Sequence, residues 1–155
     1  MPRYFLDTSA LAKVYRRELG SDLVDRLIVE PGSHHLISRL TIVEMESALV
    51  LKVRTGEIDQ QSVSIARRRM EAGLGSRRLL VAAVNDKHFR RARRLLLEHG
   101  LTEALRSLDA LQLSVALGLR RAGLVSVFVA AGQKLCQEAA MEGFTTLNPE
   151  QPVLL

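Results

Sequence analysis

The chain has 155 residues, of which 47% are hydrophobic and 25% are charged, a composition typical of a globular protein. Its length predicts a single domain over residues 1–155. The aromatic fraction of 4% and the absence of Trp argue against a nucleic-acid site built on stacked aromatic side chains. The net charge of +5 favours a polyanionic partner, with nucleic acid as the first candidate, although a soluble basic protein without such a partner has the same composition.

The single cysteine, Cys136, excludes an internal disulfide and a zinc site made of several thiolates. The N-terminus lacks the basic segment and long apolar run of a signal peptide, and no run approaches the ~18 apolar residues that a membrane span needs. We therefore expect a cytoplasmic protein that makes no membrane contact.

Short aliphatic or β-branched runs alternate along the chain with longer stretches of helical periodicity. In the first long stretch, Ile42, Met45, Leu49 and Val53 recur with a period near 3.6, and Gly56 is placed to end the helix. The short runs predict five strands, at residues 3–6, 35–37, 79–84, 125–129 and 144–147.

A second amphipathic helix is predicted at NDKHFRRARRLLLEHG, residues 85–100. Phe89, Ala92 and Leu96 form its apolar stripe, Arg residues occupy much of the remaining surface, and Gly100 ends it. The preceding AGLGSRR, residues 72–78, is predicted to be a loop. It is not interpreted as a phosphate-binding loop, because it lacks the full glycine fingerprint.

Strands that alternate with helices predict a parallel sheet covered on both faces, which is a three-layer α/β/α sandwich. In such folds ligands bind outside the carboxyl ends of the strands. Polar residues that directly follow a predicted strand are therefore the first candidates for a functional site.

Asp7 follows the first strand and precedes a helix in FLDTSAL. Asp is among the best helix N-caps, so capping is an alternative to a functional role, but a carboxylate at this position would also face the cleft. Asp109 lies at the start of another predicted helix, where Ser107 is placed to cap the helix and to leave the acid free.

Two acids lie inside the predicted helix that ends before Gly56. Glu44 shares a face with Leu40 and Ala48, and Glu46 is surrounded by apolar neighbours in a similar way. Periodicity alone does not choose between Glu44 and Glu46.

If Asp7, Glu44 and Asp109 converge, their mutual repulsion would raise their pKa values unless a cation neutralised them. Oxygen ligands without His or Cys favour Mg²⁺ or Mn²⁺. Together with the basic charge of the chain, such a site favours a phosphodiester substrate, since a bound metal activates water and stabilises charge on phosphoryl oxygens.

With these residues assembled, the chain resembles the PIN-domain nucleases, and within them the VapC-type toxins of bacterial and archaeal toxin–antitoxin pairs. The resemblance covers nearly the whole chain and implies a PIN-like three-layer α/β/α sandwich with a central parallel sheet of about five strands. It is carried by four segments in order: YFLDTSALAKVYRRELGS, SRLTIVEMESAL, HGLTEALRSLDALQLSVAL and VFVAAGQKLCQEAAMEGFTTLNP.

The resemblance implies that Asp7, Glu44 and Asp109 are the catalytic acids that bind the metal, Mg²⁺ or Mn²⁺, whereas Glu46 occupies a position that the family does not reserve. Among supporting or substrate-binding residues, Thr8 and Ser9 match the polar pair beside the first acid, and Arg106 matches an Arg that often precedes the third. A structural hydrogen bond is the alternative role for each of these three.

Gly132 departs from the family pattern, because the family usually supplies a fourth Asp at this position after the strand. Gln133 offers only a neutral oxygen, one residue later. Three carboxylates still suffice for one Mg²⁺, which commonly uses one or two and keeps its waters. We therefore expect a one-metal site, weak metal affinity or an attenuated nuclease.

Three functions follow from this pattern. The first is a metal-dependent endoribonuclease that acts as the toxin of a toxin–antitoxin pair. The second is a catalytically degenerate PIN domain that binds RNA or protein, motivated by Gly132. The third is a phosphoryl-transfer domain such as a dehalogenase-like hydrolase or a receiver, which Ser9 disfavours because the dehalogenase pattern requires a second Asp there.

The resemblance also implies an RNA substrate, a VapB-like antitoxin and a homodimer. None of the four histidines shows metal-ligand spacing in the sequence, and we expect each to be exposed or incidental to the chemistry.

Overall fold

The computed structural model describes residues 1–151, so the last four residues of the predicted domain lie outside the described residues. The described part contains five strands and seven helices. In chain order they are β1 (Arg3–Leu6), α1 (Thr8–Tyr15), α2 (Ser21–Val29), β2 (His34–Ser38), α3 (Arg39–Arg54), α4 (Gln60–Gly75), β3 (Leu80–Ala82), α5 (Asp86–His99), α6 (Ser107–Arg121), β4 (Val127–Val129), α7 (Gln133–Met141) and β5 (Thr145–Leu147).

The five strands form one parallel sheet with the order β3-β2-β1-β4-β5, which confirms the predicted α/β class and strand positions. The strand β1 lies at the centre, and the chain proceeds outward on one side through β2 and β3 and on the other through β4 and β5. The carboxyl ends of β1 and β4 therefore form the point at which the strand order reverses, the usual location of ligand sites in open parallel sheets.

Both faces of the sheet are covered, which confirms the three-layer sandwich. Alternate residues of β1 enter opposite cores: Tyr4 and Leu6 pack with Leu11 of α1 and Met45 of α3, and Phe5 packs in the other core. The second core is filled mainly by α6 and α7. Burial on both faces explains why Tyr4, Phe5 and Leu6 of β1 form an uninterrupted hydrophobic run.

The long helices end near their predicted glycines. Gly56 follows α3 with a positive φ of 78°, a conformation that glycine adopts without a Cβ clash, and Gly100 is the C-cap of α5. Among residues 1–151, no helix combines the length and apolar character needed to cross a membrane.

The prediction of a loop over residues 72–78 is wrong for its first half, because α4 continues to Gly75. Gly73 lies where the helix approaches its neighbours closely: a Cβ there would lie 3.3 Å from the Tyr15 hydroxyl and 3.5 Å from Leu79 Cδ1. Close packing of the helix therefore accounts for a glycine that the sequence pattern assigned to a loop.

Candidate functional site

Asp7 lies at the carboxyl end of β1, directly at the reversal of strand order. Its backbone N–H donates to Val129 O at 2.9 Å, and its buried side chain is the N-cap of α1, with Oδ2 accepting from the Ser9 N–H at 3.2 Å. The capping role is therefore present in the structure. It does not remove the carboxylate from the cleft, which Asp7 also lines.

Ser9 connects Asp7 to the turn after β4. Its hydroxyl donates to Asp7 Oδ2 at 2.7 Å and accepts from the Ala131 N–H at 3.0 Å. The Asn148 side-chain amide donates to Ala131 O at 3.1 Å, which fixes the same turn from the side of β5. Ser9 and Asn148 thus fix the turn after β4 relative to the end of β1.

Asp109 lies in the first turn of α6 and is half-buried. The expected cap at Ser107 is wrong: Ser107 is the first residue of the helix, and the N-cap is Arg106, which makes no side-chain capping bond. Arg106 Nε instead lies 3.4 Å from Asp109 Oδ2 and is highly exposed. An exposed pair of this kind is weak, so the guanidinium remains available to an incoming anion.

Asp7 and Asp109 line a common cleft of about 460 Å³. Glu44 is not among its lining residues. Two of the three predicted supporting residues, Ser9 and Arg106, line the cleft, whereas Thr8 does not. Gly132, where the family usually has an acid, and a further cation, Lys134, line it as well. The complete lining is Asp7, Ser9, Ala104, Arg106, Asp109, Gly132, Gln133, Lys134 and Leu135.

Glu44 is connected to the site by hydrogen bonds from Thr8 and from Gln112 of α6. The Thr8 hydroxyl donates to Glu44 Oε1 at 2.9 Å, and Gln112 Nε2 donates to the same oxygen at 2.6 Å. Glu46 faces elsewhere, because its Oε1 lies 3.0 Å from Nε of Arg67 on α4. The fold thus separates two acids that helical periodicity could not distinguish.

Gln112 belongs to this site although no motif in the sequence points to it. It is fully buried on α6, and its Nε2 also lies 2.8 Å from Thr41 Oγ1 and 3.2 Å from Thr8 Oγ1. The signal in the sequence is a lone amide within the apolar run ALQLSVAL, since a buried amide requires partners.

Electrostatics links the three acids. Burial raises the pKa of Asp7 from 3.8 to about 6, the two hydrogen bonds from Ser9 oppose this shift, and the negative charges of Asp109 and Glu44 add to it. Asp7 therefore senses both other carboxylates. Among the described residues, however, these three acids do not bring their ligand atoms within 4.8 Å of one another.

Among the described residues that spacing is met by Glu98, His99 and Glu142, away from the cleft, a group that the fold assembles although no histidine shows metal-ligand spacing in the sequence. His99 Nε2 lies 2.8 Å from Glu142 Oε1, and Nδ1 lies 3.2 Å from an oxygen of the buried Glu138. The hydrogen bond to Glu142 raises the pKa of His99. Tertiary packing of α5 against α7 creates this group, which an ion pair explains without a metal.

His35 is buried rather than exposed. Its ring stacks on Tyr4 with 5.6 Å between ring centroids, and Nε2 lies 2.8 Å from Leu27 O. His35 thus packs β2 against its neighbours, and its hydrogen bonds and ring contact involve none of Asp7, Glu44 and Asp109. Its lowered pKa, which results mainly from burial, favours the neutral ring.

Gly132 is the N-cap of α7 and lacks a side chain to bond the helix N-terminus. Its φ of −77° and ψ of 117° are extended values open to any residue. A Cβ built at Gly132 would meet only Leu135 Cβ, at 3.7 Å, which is an ordinary contact. The backbone therefore has room for the acid that the family pattern places here.

Three solved structures resemble this chain over nearly their whole lengths. The toxin VapC20 of Mycobacterium tuberculosis, which cleaves the sarcin–ricin loop, is 20% identical with a TM-score of 0.64, covering 97% of this chain and 99% of its own. VapBC2 of Rickettsia felis, solved with promoter DNA, is 16% identical with a TM-score of 0.62 and coverages of 94% and 98%. FitAcB of Neisseria gonorrhoeae is 15% identical, with a TM-score of 0.62 and coverages of 94% and 97%.

Among curated proteins the chain has no significant sequence match. The PIN domain matches residues 4–127, a span that contains Asp7, Glu44, Asp109 and Gln112 and ends before Gly132. Since this span is most of the chain and the structural neighbours share the same fold, the protein belongs to the PIN-domain family.

Proposed function

We propose that this protein is a metal-dependent endoribonuclease, the VapC-type toxin of a toxin–antitoxin pair, which hydrolyses RNA phosphodiesters in the cytoplasm. One observation carries the proposal: Asp7 and Asp109 line one cleft at the reversal of strand order, and Glu44 lies close enough to raise the pKa of Asp7. Membership of the PIN-domain family and the likeness to VapC20 support it.

The donor set fits Mg²⁺ or Mn²⁺. Asp7, Glu44 and Asp109 offer only carboxylate oxygens, which suit hard cations, and Cys136 is excluded because its buried thiol donates to Ala130 O and burial raises its pKa to about 11. Burial is the main cause of the raised pKa of Asp7, and the negative charges of Asp109 and Glu44 add to it; a bound cation would offset the repulsion among the three acids. When bound, the metal would supply activated water and stabilise charge on the phosphoryl oxygens.

The chain's own residues perform the remaining tasks. Ser9 fixes the Asp7 carboxylate by its 2.7 Å bond, and Thr8 with Gln112 fixes Glu44. Arg106 and Lys134 place positive charge at the same cleft, where they would attract the phosphate of the scissile bond.

Helix α5 offers a second basic surface to the RNA backbone. Lys87, Arg90, Arg93 and Arg94 are exposed on it. Arg91 is partly buried beside them, and its pKa is lowered by burial and then by the charges of Arg121 and Arg94. Cations that repel one another in this way are stabilised by a polyanion, so this face is proposed to bind phosphates.

The proposed protein partners follow from the neighbours. VapBC2 and the Fit complex are toxin–antitoxin assemblies, which supports a VapB-like antitoxin for this chain. We also propose a homodimer, as the resemblance implies.

The test uses Asp7→Asn and Asp109→Asn, with Glu46→Gln as a matched control, because Glu46 is an acid of α3 paired with Arg67 outside the cleft. Purified proteins are assayed for cleavage of structured RNA with Mg²⁺ or Mn²⁺ and for growth inhibition on expression. Both Asn variants should lose at least about a hundredfold in rate, because a metal ion contributes several kcal/mol to transition-state stabilisation, whereas Glu46→Gln keeps activity. Full activity in correctly folded Asn variants would reject the proposal.

A second candidate is a degenerate PIN domain that binds RNA without cleaving it, favoured by the glycine at position 132. It predicts RNA binding that is independent of Mg²⁺ and no cleavage at any metal concentration. Metal-dependent cleavage by the wild type that is lost in Asp109→Asn would favour the nuclease over the RNA-binding domain.

A further inference from the structure

The side-chain amide of Gln112 is fully buried and lies among three acceptors. Its Nε2 is 2.6 Å from Glu44 Oε1, 2.8 Å from Thr41 Oγ1 and 3.2 Å from Thr8 Oγ1. An amide nitrogen carries two hydrogens, and the two shortest contacts, to Glu44 and Thr41, take them both. Thr8 then acts as a donor toward Glu44 at 2.9 Å.

The carboxylate fixes the orientation of this amide. With oxygen and nitrogen exchanged, the amide oxygen of Gln112 would face an oxygen of Glu44 at 2.6 Å, and two acceptors repel. The observed orientation leaves Gln112 Oε1 buried without a hydrogen-bond partner among the described residues. An unsatisfied buried acceptor destabilises the fold, so this arrangement costs stability.

A purely structural role would be met more simply by an apolar side chain. Leu113, Val115 and Ala116 next to Gln112 on α6 are almost fully buried in the core. A residue such as Met has a similar length and carries no polar group to leave unsatisfied. Beyond packing, Gln112 provides hydrogen bonds to Thr41 and Glu44, and of these the bond to Glu44 engages a candidate metal ligand.

Both bonds to Glu44 end on one oxygen. Gln112 and Thr8 donate to Oε1, and within residues 1–151 no hydrogen bond engages Oε2. Two donors from different helices restrict the rotation of the carboxylate. One oxygen is thereby held, and the other stays open for a ligand.

We propose that Gln112 is a positioning residue, which holds Glu44 Oε1 through its amide so that Oε2 is presented to the divalent cation. This role rests on the proposed metal site and deepens it. Hydrogen-bonding partners that orient metal ligands typically contribute 10–100-fold to metal affinity, and we expect a loss of about this size when the amide is removed.

The experiment measures Mn²⁺ affinity by calorimetry and by the electron paramagnetic resonance signal of free Mn²⁺, neither of which requires cleavage. Gln112→Met removes the donor at nearly constant size. Gln112→Asn keeps an amide but shortens its reach by one methylene, and it serves as the second variant if the Met protein does not fold. Ser114→Ala is the matched control, because Ser114 is buried on the same helix but donates to His88 O at 2.7 Å, remote from Glu44.

Both Gln112 variants should bind Mn²⁺ about 10–100-fold more weakly than the wild type does. Ser114→Ala should bind Mn²⁺ as the wild type does. High concentrations of Mg²⁺ should restore cleavage by Gln112→Met. Unchanged affinity in a folded Gln112 variant, or an equal loss in Ser114→Ala, would overturn the positioning role and leave the proposed function intact. Absence of Mn²⁺ binding by the wild type would overturn the metal site together with this role.

Discussion

The Ser9 hydroxyl donates a 2.7 Å hydrogen bond to the Asp7 carboxylate and simultaneously accepts the Ala131 N–H at 3.0 Å. Asp7 follows β1 and Ala131 follows β4, so one side chain couples the exits of two adjacent strands. The cleft between these exits is consequently held by specific bonds as well as by the sheet. Asp7, after β1, and Gly132, after β4, are therefore held at a constant distance across the cleft.

Replacing Ser9 with Ala should weaken this coupling. A buried hydrogen bond to a charged group contributes about 1.5–3 kcal/mol, so we expect Ser9→Ala to lower the free energy of unfolding by about that amount. Because the Ser9 hydroxyl bond lowers the pKa of Asp7, its loss should raise that pKa further and weaken Mn²⁺ binding at neutral pH, while the backbone N–H of residue 9 keeps its bond. Urea denaturation and Mn²⁺ titration measure both effects, with the exposed Ser47→Ala as control. Equal stability of the two variants would contradict the coupling.

The raised pKa of Asp7 gives the stability a defined pH dependence. The native carboxyl titrates at about 6 against 3.8 for the ordinary group, so the native state binds this proton more tightly than the unfolded state. The free energy of unfolding therefore decreases as pH rises from about 4 to about 6, by on the order of 3 kcal/mol from this residue.

Asp7→Asn removes this penalty. In the presence of EDTA its melting temperature should exceed that of the wild type at about pH 7.5, and the difference should shrink as the pH falls toward about 4, because the wild-type carboxyl becomes protonated. Calorimetric scans across this range check the expectation. A difference that does not change with pH would show that Asp7 titrates normally.

Gly132→Asp should increase metal affinity and the rate of cleavage. The backbone at residue 132 is extended and a Cβ meets only Leu135 at 3.7 Å, so a side chain can be attached there without backbone strain. Gly132→Asn is the matched control, because Asn caps α7 as well as Asp does but adds no charge. We expect at least a several-fold gain in Mn²⁺ affinity for Asp only. Equal gains for Asp and Asn would assign the effect to capping, and no gain for either would mean that three acids suffice or that the site is inactive for another reason.

The basic face of α5 should contribute to RNA affinity in a salt-dependent manner. In the cleavage-deficient Asp109→Asn background, Arg90→Glu should weaken RNA binding and reduce the slope of log K against log salt by about one for each phosphate that the protein no longer neutralises. Arg68→Glu on α4 changes the net charge equally and is also exposed. If both substitutions alter the slope alike, the effect belongs to net charge rather than to α5.

Local pattern in the sequence was sufficient for the architecture and for the candidate acids at helix starts. The apolar runs located all five strands, most strongly β1, β2 and β4, which are buried in the middle of the sheet. Asp7 and Asp109 were found because residues at strand ends and in first helical turns carry a local signal. The absence of an acid at position 132 was also evident from the sequence. Whether these residues bind a metal stays a prediction.

Tertiary structure decided the contacts that local pattern does not encode. Glu44 and Glu46 have equivalent periodicity, and only the packing of α3 against α4 and α6 directs Glu46 to Arg67 and Glu44 to Gln112. Gln112 lies 68 positions from Glu44 in the chain, and its significance depends on that distant partner. Strands, helices and the acids at their ends are readable from the sequence because they depend on neighbouring residues. Which side chains meet depends on the fold, because burial and long-range hydrogen bonding select those pairs.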